Sequence, residues 1–389
     1  MTIREVNIHI AEKDLGSRFY NPRILWHRKQ YVFIEIIAVD GTVGWGECWT
    51  FDQSADALVR FLQTEIRPGL LGRATTSIKD IWQDLWSDTV LSGRHGMAAA
   101  AISGVDCALW DIAAKRKGQS VSDLIAPDQS RQAVPVYASG GLYRKDGGCQ
   151  ELAKEMSTHV ANGFHCVKMK IGALEFEQDL ERVQTVRRAI GPNTRLIIDA
   201  VYSLDKEKAK RWLPHWQDLG VKAVQAPFPQ RDWDEMRWLN QDAGIPVMVF
   251  EAENRYAVFR ALLEIGAIGV MQFSPIAVGG ISAALSLISL AEKYGCDTSL
   301  QCSSSWLAEK IALNIGGACR SVCHVELHTF HQYLFDRAGA DEHALKDGCH
   351  ILGDASGLGF DVPHDGLTLC NDRLPDFGTR QCDEFADSA

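Results

Sequence analysis

The sequence predicts a (β/α)₈ barrel of the TIM type behind an N-terminal α+β capping domain. Three observations carry that prediction. The first third of the chain reads as strands followed by helices, the remainder alternates short apolar strands with helical segments eight times, and ionisable residues gather where those strands end.

The opening stretch IREVNIHIAE alternates as a strand, and QYVFIEIIAVDGTVGWGECWT holds two further runs meeting at Asp40-Gly41, a hairpin signal. Helical periodicity follows over Ala57 to Leu62, Ile78 to Leu85 and MAAAAISGVDCALWDIAAKRKG, which ends on Gly118 as a helix C-terminus should. Residues 1–130 are expected to form the capping domain. From VPVYASGG onward the texture changes: strands are expected at Val134 to Ser139, Cys166 to Ile171, Leu196 to Asp199, Ala223 to Ala226, Val247 to Glu251, Gly269 to Phe273, Asp297 to Gln301 and Ser321 to Leu327. Segments between them, such as EFEQDLERVQTVRRAIG and GGISAALSLISLAEKYG, have helix periodicity. The barrel is expected over residues 131–350, and SGLGFDVPHDG belongs to a C-terminal segment, 351–389, expected to return to the capping domain. An open doubly wound sheet would want a Gly-rich phosphate turn after its first strand, which ASGGLYRKDGG matches poorly.

With 46% hydrophobic and 23% charged residues the 389-residue chain can bury a sizeable core. Its net charge of −10, without a Lys/Arg-rich block, excludes nucleic acid or an anionic membrane as the main partner. No apolar run is expected to reach membrane-spanning length, and the N-terminus is charged from Arg4 onward, so a cytoplasmic protein is expected. The eleven cysteines lack a repeated C-x-x-C pair and read as reduced packing residues.

Barrel chemistry sits at the C-terminal ends of the strands. Lys168 and Lys170 end the second strand and, being two apart, share a face. Asp199 ends the third strand and Glu251 the fifth, with Glu253 two residues on. Singly, such lysines guard a strand edge and such acids cap helices. Together they converge on one mouth, where carboxylates from neighbouring strands suit Mg²⁺. A lysine crowded by another cation and a metal has its ammonium form disfavoured, which makes it a base. This chemistry fits abstraction of a proton α to a carboxylate.

The capping domain, the eight-unit barrel, KMK ending the second strand, DA ending the third and Glu ending the fifth together resemble the enolase superfamily, mandelate racemase-type subgroup. The resemblance spans nearly the whole chain and extends to GTVGWGE (Gly41 to Glu47), ISGVDCALWDIAAKRKG (Ile102 to Gly118), GFHCVKMKIG (Gly163 to Gly172) and Gly279-Gly280. It implies proton abstraction from a small carboxylate substrate, usually a sugar acid, by Lys168 or Lys170, with Mg²⁺ as cofactor and a homo-oligomeric assembly. Acid-sugar dehydratases and sugar-lactone cycloisomerases are the members most similar in look.

The departures from that pattern are specific. Where the family ends its fourth strand Glu-Glu-Pro, this chain has VQAP, so the expected metal set is Asp199, Gln225 and Glu251, with two charges instead of three and weaker or absent Mg²⁺ binding. Glu253 is expected to swing in as compensation. Val201 stands where Asn commonly follows DA. The racemase His and Asp of the seventh and sixth strands are matched by Gln301 and Ser274, neither a base near neutral pH. His324 and His328 are weaker stand-ins. One-base chemistry is therefore expected: a hydro-lyase with Lys170 as base and Lys168 as its electrostatic partner. A cycloisomerase, a barrel that no longer catalyses, and a metal-free site using Cys302, Ser303 or Glu253 remain as alternatives. For the substrate's distal end, Arg18, Arg23 and Arg28 in GSRFYNPRILWHRKQ, with Tyr143 and Arg144 after the first barrel strand, are the expected contacts.

Overall fold

The computed structural model describes residues 1–50, 55–93, 95–249, 253–328, 330 and 345–372. Three antiparallel strands open the chain, β1 (Ile3–Tyr20), β2 (Leu25–Ala38) and β3 (Val43–Cys48), paired in that order. The β2–β3 turn is the expected hairpin, with Gly41 at a φ of 84° that glycine adopts without steric cost. Alternation sorts β2 into two faces. Val32, Ile34 and Ile36 pack against helices Asp56–Phe61, Ile78–Asp88 and Met97–Lys117, while Tyr31 and Phe33 join the core shared with the barrel.

The motif glycines explain how the long helix lies on β3. A Cβ on Gly46 would stand 1.9 Å from the Gly104 carbonyl oxygen, and one on Gly44 2.1 Å from that of Ala108. Any larger residue would push the helix off the sheet. Against the expectation about apolar runs, Met97–Lys117 is long and apolar enough, by length and composition alone, to cross a membrane. It is mostly buried, the core helix of the capping domain.

The barrel strands are Ala133–Ser139, Cys166–Lys170, Arg195–Asp199, Val221–Gln225, Val247–Met248, Val270–Phe273, Asp297–Leu300 and Val322–His328. They are parallel and ordered sequentially, and the eighth closes on the first through Val325↔Val136 to His328↔Ser139. Helices Cys149–Ala161, Phe176–Ile190, Lys206–Asp218, Trp233–Arg237, Tyr256–Glu264, Gly280–Lys293 and Trp306–Ala318 alternate with them. Tyr137, Cys166, Ile197, Ala223 and Met248 form an apolar layer from five different strands. Polar residues follow further along the first four of these strands, Ser139, Lys168 and Lys170, Asp199 and Gln225, toward their C-terminal ends.

Acids of the capping domain cap barrel helices across the domain boundary. Asp106 accepts from the Ser282 backbone N at 2.9 Å and from Ser282 Oγ at 2.6 Å at the start of Gly280–Lys293. A Cβ on Gly280 would come within 2.6 Å of the Asp106 Cβ, which accounts for the second glycine of Gly279-Gly280. Burial pushes the Asp106 carboxyl up to about 7, with the Ser282 hydrogen bonds pulling against it. Glu47 does the same for Trp306–Ala318, accepting from the backbone N of Ser305 at 3.2 Å and of Ala308 at 3.1 Å and from both the Ser304 and Ser305 hydroxyls. The C-terminal segment also reaches the capping domain: Leu358 N donates to Asp111 Oδ1 at 2.8 Å, and Thr368–Leu369 pairs antiparallel with β1. The ten described cysteines are free thiols.

Candidate active site at the barrel mouth

Strand register builds the site. Lys170 pairs with Asp199 and Asp199 with Gln225, so three neighbouring strands present these side chains at one level. Lys168 lies one layer below, level with Ser139 and, across the barrel closure, with His328. All are buried: Lys168 is 1% exposed, Lys170 8%, Asp199 2% and Gln225 1%.

The two lysines share acids that close the network. Lys170 Nζ pairs with Asp199 Oδ2, which also lies 3.4 Å from Lys168 Nζ. Lys168 Nζ donates to Gln225 Oε1 at 2.7 Å and lies 2.5 Å from Glu326 Oε1. Glu326, on the eighth strand, is fully buried, and its Oε2 accepts from Cys302 N at 2.9 Å. Burial alone would raise this carboxyl, but the Lys168 and Lys170 ammonium groups outweigh burial and hold it below the usual range, so it is ionised. Sequence reasoning missed Glu326. Its signal was alternation: in VCHVELH it shares a face with both histidines that were weighed.

The structure separates those histidines. His324 lies near the start of its strand, 3.5 Å from Arg195, far from the mouth in register; burial and then Arg195 lower its imidazole to about 4. His328 is at the mouth, where burial and the charges of Lys170, Lys168 and Lys29 keep it neutral. Lys29 is a cation that sequence reading did not single out. Buried on β2, it reaches over the barrel to within 3.5 Å of the Ser303 carbonyl oxygen.

Of the remaining expected residues, Glu251 lies outside the described residues. Glu253 does not swing toward Asp199: Arg255 holds it, with Nε to Oε1 at 2.9 Å and Nη2 to Oε2 at 2.7 Å, and its Oε1 also caps the Asn254 and Arg255 backbone. Ser274 and Gln301 are buried after the sixth and seventh strands, and Gln301 Oε1 has no hydrogen-bond partner among the described residues. Cys302 is fully buried, its thiol pushed far up by burial, so it packs as a thiol and is a poor nucleophile.

The expected substrate contacts are engaged with protein. Tyr143 OH donates to Asp179 Oδ1 at 2.6 Å beneath the Arg182 guanidinium, and Tyr143 pairs with Tyr20 of β1. Arg144 and Arg18 both face Asp146, and Arg28 lies 3.5 Å from Glu12. Arg23 crosses from the β1–β2 loop to the third-strand turn, donating to Val201 O at 3.3 Å and Tyr202 O at 2.5 Å. Val201 and Tyr202 have φ of 46° and 59°, and Ala226, directly after Gln225, has 43°. Three non-glycine residues in the left-handed region at neighbouring strand ends mark a mouth held in a costly conformation. A cavity of about 720 Å³ opens beside it, lined by Tyr20, Asn21, Arg23, Lys145, Gly172 and Ala173 among others.

As a metal site, Asp199 and Gln225 supply hard oxygen donors at one level, the chemistry that fits Mg²⁺. Both oxygens are shared with lysine ammonium groups, so a dication would have to displace those contacts.

Residues 23–126 match the family model for the mandelate racemase / muconate lactonizing enzyme N-terminal domain, and residues 151–366 match the enolase C-terminal domain-like model. The chain is 32% identical over 297 residues to D-galactarolactone cycloisomerase of Agrobacterium fabrum, covering 76% of this chain and 77% of that protein. It is 27% identical to arabinonate dehydratase of Saccharolobus solfataricus over 88% of this chain and 90% of the relative. Among solved structures, 3,6-anhydro-D-galactonate cycloisomerase from Zobellia galactanivorans superposes with a TM-score of 0.84 at 26% identity, covering 94% of this chain and 98% of that one.

Proposed function

Because the chain belongs to the mandelate racemase / muconate lactonizing enzyme family of the enolase superfamily, we propose that it is a carbon–oxygen lyase dehydrating a sugar acid or related hydroxy acid. One observation carries the reading: Lys168 and Lys170 are buried side by side at the mouth, and among the described residues the sixth and seventh strands are followed by Ser274 and Gln301, neither a base near neutral pH. The neutral form of Lys170 takes the proton α to the carboxylate, and the C–H electron pair moves into an enediolate. The Lys168 ammonium faces that developing charge. Expulsion of the β-hydroxyl, protonated by the Lys170 ammonium, releases water and restores the amine; the enol then becomes a 2-keto-3-deoxy acid. Glu326 holds Lys168 in place and, through Cys302 N, ties it to the seventh-strand loop. Mg²⁺ bound by Asp199, Gln225 and Glu251 would supply charge for the substrate carboxylate and the enediolate.

A second reading has its own support, the 32% identity to a lactone cycloisomerase. There the same lysine would take an α-proton and the β-leaving group would be the ring ester oxygen, so no water is lost. The test incubates purified protein and Lys170→Ala with Mg²⁺ and a panel of aldonates, aldarates and their lactones, following products by NMR. Dehydration predicts a 2-keto-3-deoxy acid that the variant does not form; an isomer of unchanged mass would establish the cycloisomerase, and turnover surviving in the variant would overturn both.

A further inference from the structure

Outside the barrel, on the sheet face of the capping domain that carries Trp45, two imidazoles converge on one buried carboxylate. His9 Nε2 lies 3.0 Å from Glu35 Oε2 and His364 Nε2 lies 3.1 Å from Glu35 Oε1. Their ligand atoms all fall within 4.8 Å of one another. The residues come from β1, β2 and the C-terminal segment, so only the folded chain brings them together. We propose that His9, Glu35 and His364 form a binding site for a borderline transition-metal cation such as Zn²⁺, separate from the barrel mouth.

The donor set decides the class of ion. Two imidazoles and one carboxylate suit Zn²⁺, Cu²⁺ or Ni²⁺, whereas Mg²⁺ prefers oxygen ligands and retained water. Ligands on a tetrahedral zinc, with bonds of about 2.0 Å, stand roughly 3.3 Å apart. His9 and His364 stand 3.0 and 3.1 Å from different oxygens of Glu35, spacings that a carboxylate binding through both oxygens would open only slightly, and one ligand atom from each residue lies within 4.8 Å of the others.

An outer layer orients the ligands. Asn7 Nδ2 donates to Glu35 Oε2 at 2.8 Å, and Asn7 Oδ1 accepts from Asn371 Nδ2 at 2.8 Å. The Trp45 ring lies against both imidazoles, with centroids 5.5 Å from His9 and 5.4 Å from His364. The His364 side chain is 64% exposed, which gives a metal its entry path and leaves the fourth position to water. A metal here ties residues 364 and 368–369 of the C-terminal segment to the β1–β2 pair, so its binding energy adds to folding.

The test titrates Zn²⁺ into metal-stripped full-length protein in excess Mg²⁺ and counts the zinc retained after gel filtration. About one equivalent is expected for the wild type and for Asp199→Asn, and none for His364→Ala, whose exposed side chain can be removed without disturbing the core. Asn7→Ala should weaken zinc affinity by about 10- to 100-fold. The unfolding temperature should rise with Zn²⁺ in the wild type and in Asp199→Asn but not in His364→Ala, which should coincide with the wild type when metal is absent. Zinc retained equally by His364→Ala, zinc lost in Asp199→Asn, or no zinc retained by the wild type would each overturn the site.

Discussion

Restoring the third charged ligand should tighten Mg²⁺ binding by less than its charge alone would give, because Lys168 competes for it. In Gln225→Glu the new carboxylate would sit where Gln225 Oε1 accepts from Lys168 Nζ at 2.7 Å. At an effective dielectric constant of about 20 and the same spacing of some 4 Å, a dication gains roughly 8 kcal/mol from a carboxylate and an ammonium roughly 4 kcal/mol. The difference, about 4 kcal/mol, sets an upper limit of roughly 1000-fold on the tightening of the dissociation constant. Calorimetric titration of metal-stripped wild type and variant with Mg²⁺ measures it directly, and thermal unfolding at matched metal concentrations supplies a second readout. Equal or weaker binding by a folded Gln225→Glu would refute the placement of Gln225 in the metal set. A gain of several thousandfold would show that Lys168 does not compete.

Three further outcomes follow from the geometry. Glu47→Ala leaves two helix N–H groups and two hydroxyls without their acceptor, and should cost about 3 kcal/mol in denaturant unfolding, with the midpoint falling at unchanged slope; a loss under about 0.5 kcal/mol would show the cross-domain cap to be idle. His324, lowered to about 4, is neutral in the fold at pH values where the unfolded chain would charge it, so its contribution is fully present above pH 6.5 and lost as pH falls through 4. That drop is at most roughly 3 kcal/mol, and His324→Gln should flatten the stability profile in this window. Gly46→Ala puts a methyl 1.9 Å from the Gly104 carbonyl oxygen and should destabilise by several kcal/mol, visible as poor folding or a sharply lowered melting temperature.

The barrel was legible because its strands are short apolar runs ending in ionisable residues, a pattern the burial of a parallel sheet imposes. Lys168, Lys170, Asp199 and Gln225 were readable for the same reason: their place at strand ends fixes their convergence. The Arg255 fork on Glu253 was not legible, because it is a local contact that strand spacing does not encode. Arg18 and Arg144 were expected at the substrate's distal end, and folding brings both to Asp146, a partner the sequence did not point to. Glu326 was overlooked as the one carboxylate in its strand, and Lys29 because it sits in the charged run His27-Arg28-Lys29 near the start of β2. Only closure of the barrel and the docking of β2 over it put them near Lys168.

The central claim is that a single lysine face does the proton chemistry. NMR in D₂O of 2-hydroxy acids incubated with wild type, Lys168→Ala and Lys170→Ala tests it most directly. The wild type should act on one C2 configuration only, losing its α-proton signal without producing the other enantiomer, and Lys170→Ala should lose at least roughly 100-fold in rate. Interconversion of the two enantiomers, or α-proton loss that survives both substitutions, would contradict the account.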